Sequence, residues 1–159
     1  MAKFAALKAD IDHELRNLKR LAKELDDILT TTKEESIART RAIGSLLHDF
    51  YTGVEKIFRQ IATKVDQDLP AGEGWHIQLL KRMAIPIEGI RPQVIDDALE
   101  NDLEEYLRFR HLFRNIYGFE LKWTKCQPLV ERLNYVICEL EEQITKFESF
   151  LDSIKYENE

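Results

Sequence analysis

Apolar residues recur every three or four positions along four long stretches of the chain, and charged residues fill the gaps between them. This spacing is typical of amphipathic α-helices, which turn one apolar stripe toward a core. A fifth, shorter stretch begins at Trp75. The predicted helices cover residues 4–30, 32–65, 75–84, 92–118 and 128–154. The pattern predicts an all-α fold, an up-and-down helical bundle of four long helices plus one short helix.

Prolines, a glycine and a threonine mark the expected helix ends. Pro92 and Pro128 suit the first turn of the fourth and fifth helices, where the missing N–H costs nothing. Gly118 suits the C-terminal cap of the fourth helix. Thr32 and Glu35 have the spacing of a capping box ahead of the second helix.

Composition supports one helical domain spanning residues 1–159. Six glycines and four prolines are too few for the turns of an all-β protein. The net charge of −6 gives no global attraction to nucleic acid, so any phosphate contact needs a local basic cluster. The two cysteines have no metal-site spacing, and no apolar run approaches the ~20 residues of a membrane span. We expect a cytoplasmic protein with no metal, cofactor or membrane association.

Residues 104–119, at the end of the fourth predicted helix, carry an unusual density of polar chemistry. Three arginines, a histidine and an asparagine alternate there with bulky apolar residues. At 100° per residue, Arg110 and Tyr117 would lie within about 20° of each other on a helix. Both continue the stripe that faces the core. His111 and Asn115 form an i,i+4 pair within hydrogen-bonding reach.

Charges are rarely buried unless they are paired or functional, which leaves two interpretations of this stretch. Acidic residues of the second helix, such as Asp49 and Glu55, neutralise the arginines, or the face meets a partner.

The stretch resembles the signature of the HEPN superfamily, and of its HepT-like ribonuclease toxins in particular. That signature is an arginine, four to six residues, a histidine, one residue and a tyrosine, near the end of a late helix. Arg110 matches the arginine, His111 the polar residue that often follows it, and Tyr117 the tyrosine. Asn115 fills the histidine position. Residues 46–55, 75–76 and 117–121 also resemble HepT-like sequences, so the likeness covers most of residues 40–135.

The resemblance implies a metal-independent endoribonuclease toxin that works as a homodimer, with the motif residues of both chains meeting at the interface. It also implies neutralisation by a small nucleotidyltransferase antitoxin, which in some systems adenylylates the motif tyrosine. RNA would be the substrate. By resemblance, the catalytic residues would be Arg110, His111, Asn115 and Tyr117, the RNA-binding residues Arg108 and Arg114, and the modified residue Tyr117.

Cleavage of RNA needs a base for the 2′-hydroxyl, an acid for the leaving oxygen and a cation for the phosphate. The amide of Asn115 does not titrate near neutral pH and cannot act as the base. Three interpretations therefore stay open: His111 has taken over, the site binds RNA without efficient cleavage, or the chain is inactive. The alternative function is a non-catalytic helical module that docks a nucleotidyltransferase or another protein.

Two other histidines need an interpretation. Arg41 and His48 also have the loose arginine-to-histidine spacing, on one face of the second helix. Such a pattern often arises by chance. His76, beside Trp75 at the start of the short helix, is expected to be a structural or surface residue.

Overall fold

A computed structural model describes residues 3–154 and is all-helical over that range. Its elements are α1 (Ala5–Thr31), α2 (Ile37–Ile61), a π-helical turn (Ala62–Asp66), α3 (Trp75–Met83), α4 (Asp97–Asn115), a 3₁₀ turn (Gly118–Glu120) and α5 (Trp123–Ile154). Within residues 3–154 the β-structure is limited to a single bridge between Ile87 and Arg91. The prediction of an all-α fold is confirmed. The up-and-down order of the helices stays a prediction.

Helix α2 is the centre of the fold, because it contacts each of the other four helices. Its buried residues include Phe50, whose ring meets that of Tyr106 on α4 edge-on at 4.9 Å. Two glycines on α2 allow close packing. A Cβ at Gly53 would lie 2.6 Å from Leu18 Cδ2 of α1, so the expected close approach of a neighbouring helix is present.

The start of α2 differs from the predicted capping box. Ser36, not Thr32, is the N-cap, and its Oγ accepts a hydrogen bond from Arg39 N at 3.0 Å. Arg39 Nε also donates to the carbonyl oxygen of Thr32 at 2.7 Å. That bond holds Thr32 in the connection between α1 and α2. The prediction that Thr32 and Glu35 cap this helix is therefore wrong.

The ends of α4 and the start of α5 were also predicted wrongly. Asp96 caps α4, because its Oδ1 accepts a hydrogen bond from Leu99 N at 2.8 Å, which leaves Pro92 in the preceding loop. The helix ends at Asn115, since Ile116 is extended, and Gly118 begins the 3₁₀ turn. Helix α5 begins at Trp123, so Pro128 lies inside it.

A buried ion pair fastens the π-helical turn after α2 to the loop before α4. The Arg91 side chain is fully buried, and its Nε and Nη2 donate to the two carboxylate oxygens of Asp66 at 2.6 and 3.0 Å. Its remaining hydrogen bonds, at 3.0 to 3.3 Å, go to the carbonyl oxygens of Ile85, Pro92 and Arg82. The guanidinium thus makes five hydrogen bonds, which connect Asp66 to the carbonyl groups of the loop before α4 and of the end of α3.

The two cysteines lie in different surroundings on α5. Cys126 is buried, and burial raises the pKa of its thiol to about 11. Cys138 is exposed. None of the helices in residues 3–154 is long and apolar enough to cross a membrane.

Candidate functional site at helix α4

Arg110 faces the interior of the bundle. It is 2% exposed, and its Nη2 donates to Glu55 Oε2 of α2 at 2.8 Å. Nη1 lies 3.4 Å from Thr52 Oγ1, and the guanidinium sits 4.9 Å from the ring centre of Tyr51. Of the two interpretations of a buried arginine, neutralisation by Glu55 therefore applies to Arg110.

His76 joins this ion pair from the first turn of α3. Its Nδ1 lies 2.7 Å from Glu55 Oε2 and 3.1 Å from Arg110 Nη2. The imidazole lies against Trp75, with the ring centroids 3.7 Å apart and the ring planes tilted by 31°, and the Arg59 guanidinium lies 5.2 Å from the Trp75 ring. We call Glu55, His76 and Arg110 the Glu55 cluster. Sequence reasoning placed His76 among structural or surface residues and did not connect it with Arg110.

Tyr51 lines the Glu55 cluster without being ionised. Burial raises the pKa of the Tyr51 phenol, and the negative charge of Glu55 raises it further, while Arg110 acts in the opposite direction. The phenol thus stays neutral beside the ion pair, and its ring face covers the guanidinium.

The polar residues at the C-terminal end of α4 are exposed. Arg114 Nε donates to His48 Nε2 at 3.0 Å, and His48 Nδ1 lies 3.2 Å from Asp49 Oδ1. Because Nε2 accepts, the ring proton belongs on Nδ1, facing the carboxylate. We call His111, Arg114, Asn115 and Tyr117 the α4-end surface, since all four are exposed.

Asn115 and His111 interact through the main chain. The Asn115 amide donates to the carbonyl oxygen of His111 at 2.7 Å, four residues earlier on the same helix. The predicted contact is present, but the imidazole takes no part in it. The ring of His111 is therefore left to solvent.

Tyr117 does not share a helix face with Arg110, so that prediction is wrong. The helix ends before Tyr117, whose side chain is 71% exposed and stacks on Phe119 at 5.3 Å. The turn that follows is held against α2, where a Cβ at Gly118 would collide with the guanidinium of Arg41. The Arg41 side chain thus lies directly over Gly118.

Arg108 lies on the solvent side of α4 within a small network of carboxylates. Its guanidinium pairs with Glu104 at 3.0 Å and Glu105 at 2.9 Å, one turn earlier on the helix. Exposed pairs of this kind contribute little to stability and exchange readily. The three arginines of this stretch thus have three different surroundings: a buried carboxylate, a half-buried imidazole, and one half-buried and one exposed carboxylate.

The α4-end surface offers a guanidinium, an imidazole and a phenol, and the Glu55 cluster adds a buried ion pair and a second imidazole. Among residues 3–154, no cluster of three or more His, Cys, Asp or Glu side chains is arranged to hold a metal ion. The chemistry that these side chains themselves can supply is proton transfer and stabilisation of a phosphate.

The chain is all-helical over residues 3–154, and Arg110, Asn115 and Tyr117 stand at the spacing noted in the sequence. The family model of HepT-like proteins matches residues 42–151, from the first turns of α2 to near the end of α5. The chain therefore belongs to the HepT-like family, and the resemblance seen in the sequence is confirmed. No curated protein and no solved structure matches the chain.

Proposed function

We propose that this chain is an RNA-cleaving HEPN toxin, kept inactive by a small nucleotidyltransferase antitoxin. Membership of the HepT-like family supports the class. The observation that carries the proposal is the α4-end surface, which presents a guanidinium, an imidazole and a phenol to solvent along residues 111–117. Metal-independent cleavage of a phosphodiester uses the first two of these groups.

Arg114 is the better candidate for phosphate binding on this surface. Arg110 would have to leave a buried carboxylate to reach a phosphate, which carries a large cost. Arg114 would give up only a hydrogen bond to the His48 ring. A guanidinium also matches the geometry of a phosphate through two parallel hydrogen bonds. We therefore assign the phosphate contact to Arg114.

The proposed toxin is one domain of residues 1–159 that acts in the cytoplasm as a homodimer. Tyr117 and Phe119 support the dimer, because they form a stacked aromatic pair with 71% and 62% of their surface exposed. Large aromatic groups are enriched where proteins meet other proteins. A dimer built on this surface would bring the α4 ends of both chains together.

Asn115→His is expected to raise RNA cleavage by the full chain. The side chain at position 115 is exposed, so an imidazole fits there without repacking. An imidazole at position 115 would supply the acid for the leaving 5′-oxygen, and such catalysis contributes about 10²–10⁴-fold, so the gain should be readily measured on a labelled oligoribonucleotide. His13→Ala, at an exposed histidine of α1, is the matched control and should leave the rate unchanged.

If the wild type and Asn115→His both fold but cleave none of the RNAs tested, the nuclease proposal is contradicted. The non-catalytic binding module would then be the better description. Two observations favour that second candidate: Arg110 is buried in an ion pair with Glu55, and position 115 carries an amide in place of an imidazole. Under it, the chain should still bind a nucleotidyltransferase while leaving RNA intact.

Tyr117 is expected to accept an adenylate from the nucleotidyltransferase of a neighbouring reading frame. Its phenol is exposed, and Arg114 is close enough in sequence to attract a triphosphate. Incubation with ATP and the transferase, followed by peptide mass mapping, should place the added mass on Tyr117. Tyr135 is the matched control, since it is 54% exposed but lies on α5. Labelling of Tyr135 instead, or of neither residue, would remove Tyr117 from the mechanism.

A further inference from the structure

The imidazole of His76 is held in one tautomer by a buried carboxylate. Glu55 Oε2 lies 2.7 Å from His76 Nδ1 and also accepts a hydrogen bond from Arg110 Nη2 at 2.8 Å. A contact of 2.7 Å with a carboxylate oxygen requires a proton on Nδ1. Nδ1 therefore cannot accept a hydrogen bond from Arg110, although the two nitrogens are 3.1 Å apart. Glu55 thus places the lone pair of the neutral ring on Nε2.

Nε2 of His76 is open to a ligand. It makes no hydrogen bond within residues 3–154, and it is not among the buried side-chain atoms that lack a partner. The His76 side chain is 38% exposed, whereas that of Glu55 is 9% exposed. An imidazole with one nitrogen oriented by a buried carboxylate and the other accessible has the geometry of a general base.

The carboxylate is well suited to this positioning role. Arg110 donates to the same carboxylate oxygen that faces His76, so the ion pair fixes the position of Glu55 beside the ring. The ring of His76 also lies against the Trp75 ring, with centroids 3.7 Å apart, which restricts its rotation. Both contacts hold the ring in place before any substrate arrives.

The Glu55 cluster and the α4-end surface are linked by one polar stripe on α2. His48, Thr52, Glu55 and Arg59 follow each other at intervals of three or four residues. His48 contacts Arg114, Thr52 and Glu55 contact Arg110, and Arg59 covers Trp75 beside His76. At 1.5 Å per residue the stripe is about 16 Å long, which spans two or three phosphates of an extended strand. Exposed guanidiniums lie at both ends of it.

We propose that His76, rather than a residue near position 115, is the proton acceptor for RNA cleavage, with Glu55 as its positioning residue. This inference rests on the proposed nuclease function. Nε2 takes the proton of the 2′-hydroxyl as the 2′-oxygen bonds to phosphorus. The bond from phosphorus to the 5′-oxygen breaks, and that oxygen takes a proton from water. The products are a 2′,3′-cyclic phosphate and a 5′-hydroxyl, and the imidazolium returns its proton to solvent.

His76→Asn tests the proposal directly. The asparagine amide can still donate to Glu55, so the cluster is preserved while the titratable nitrogen is lost. We expect cleavage of a labelled oligoribonucleotide by the full chain to fall by about 10²–10⁴-fold. His13→Asn should cleave like wild type. Unchanged far-ultraviolet circular dichroism and an unchanged KM for RNA would separate loss of the base from loss of the fold or of binding.

The pH dependence of kcat gives a signature that a structural role would not produce. The charged groups that face the imidazole are Glu55 of α2 and Arg110 of α4. The guanidinium of Arg59 lies over the ring of the neighbouring Trp75. The fall in wild-type rate on acidification reports protonation of the base. It should disappear in His76→Asn. In Glu55→Gln kcat should fall while the KM for RNA stays unchanged, because the amide NH₂ can donate to Nδ1 and no longer fixes the tautomer of the ring.

Each outcome decides the proposal. An active wild type with an equally active His76→Asn overturns this inference alone, and His111→Asn with a large loss would then assign the base to His111. An inert wild type overturns the inference together with the proposed function. If His76→Asn does not fold, His76→Gly with added imidazole replaces it. Restored cleavage supports the proposal, and a folded glycine variant that cleaves without imidazole overturns it.

Discussion

Arg110→Met is expected to lower the free energy of unfolding by about 3–5 kcal/mol. The methionine fills much of the space of the arginine but leaves the carboxylate of Glu55 buried without its ion-pair partner. His76 alone remains to neutralise it, and only when protonated. Urea denaturation followed by circular dichroism measures the difference.

Arg108→Met is the matched control on the same helix. The Arg108 side chain is 66% exposed, and its pairs with Glu104 and Glu105 lie in water, so the cost should stay below about 1 kcal/mol. Equal stabilities of the two variants would show that Arg110 is not held by a buried carboxylate in solution. The result also matters for activity, because a loss of cleavage in an Arg110 variant has to be separated from unfolding.

Asp66→Asn is expected to destabilise the protein by a similar amount, about 3–5 kcal/mol. Arg91 has no exposed side-chain surface, and an amide cannot balance its charge and would place an NH₂ group against one of the two guanidinium donors. Thermal unfolding measured by circular dichroism should show a large drop in Tm. The segment 84–96 should also become more accessible to proteolysis.

Asp68→Asn serves as the control for this second substitution. Asp68 pairs with Arg82 at 3.0 Å, but its side chain is 75% exposed, so little stability depends on it. A drop in Tm as large for Asp68→Asn as for Asp66→Asn would mean that net charge, and not the buried pair, controls stability here.

The helices could be predicted from the sequence, but their ends could not. A stripe of apolar residues determines that a stretch is helical, because burial of that stripe supplies most of the stability. An end is decided by competition among nearby residues. Asp96 accepts the Leu99 N–H and displaces Pro92 as the start of α4, and Ser36 does the same in place of Thr32. An N-cap side chain contributes only about 1 kcal/mol, which is too little to be predicted from the apolar pattern of the sequence.

The site was predicted only where it depends on local spacing. Arg110 was found because neighbouring residues carry a motif. The Glu55 cluster instead joins positions that are 21, 34 and 55 residues apart, and they meet only because α2, α3 and α4 pack together. The direction of Tyr117 depended on where α4 ends. A paired histidine and glutamate on different predicted helices give no signal in a single sequence.

The contact between the rings of Trp75 and His76 makes the fluorescence of Trp75 sensitive to the state of the imidazole. An excited indole transfers an electron to an imidazolium far more readily than to a neutral imidazole, so the emission of Trp75 depends on the charge of the ring 3.7 Å away. The second tryptophan, Trp123, packs against Arg39, whose charge is constant at any ordinary pH. Trp123 therefore contributes a steady background, and a change in tryptophan emission reports a change at the His76 ring.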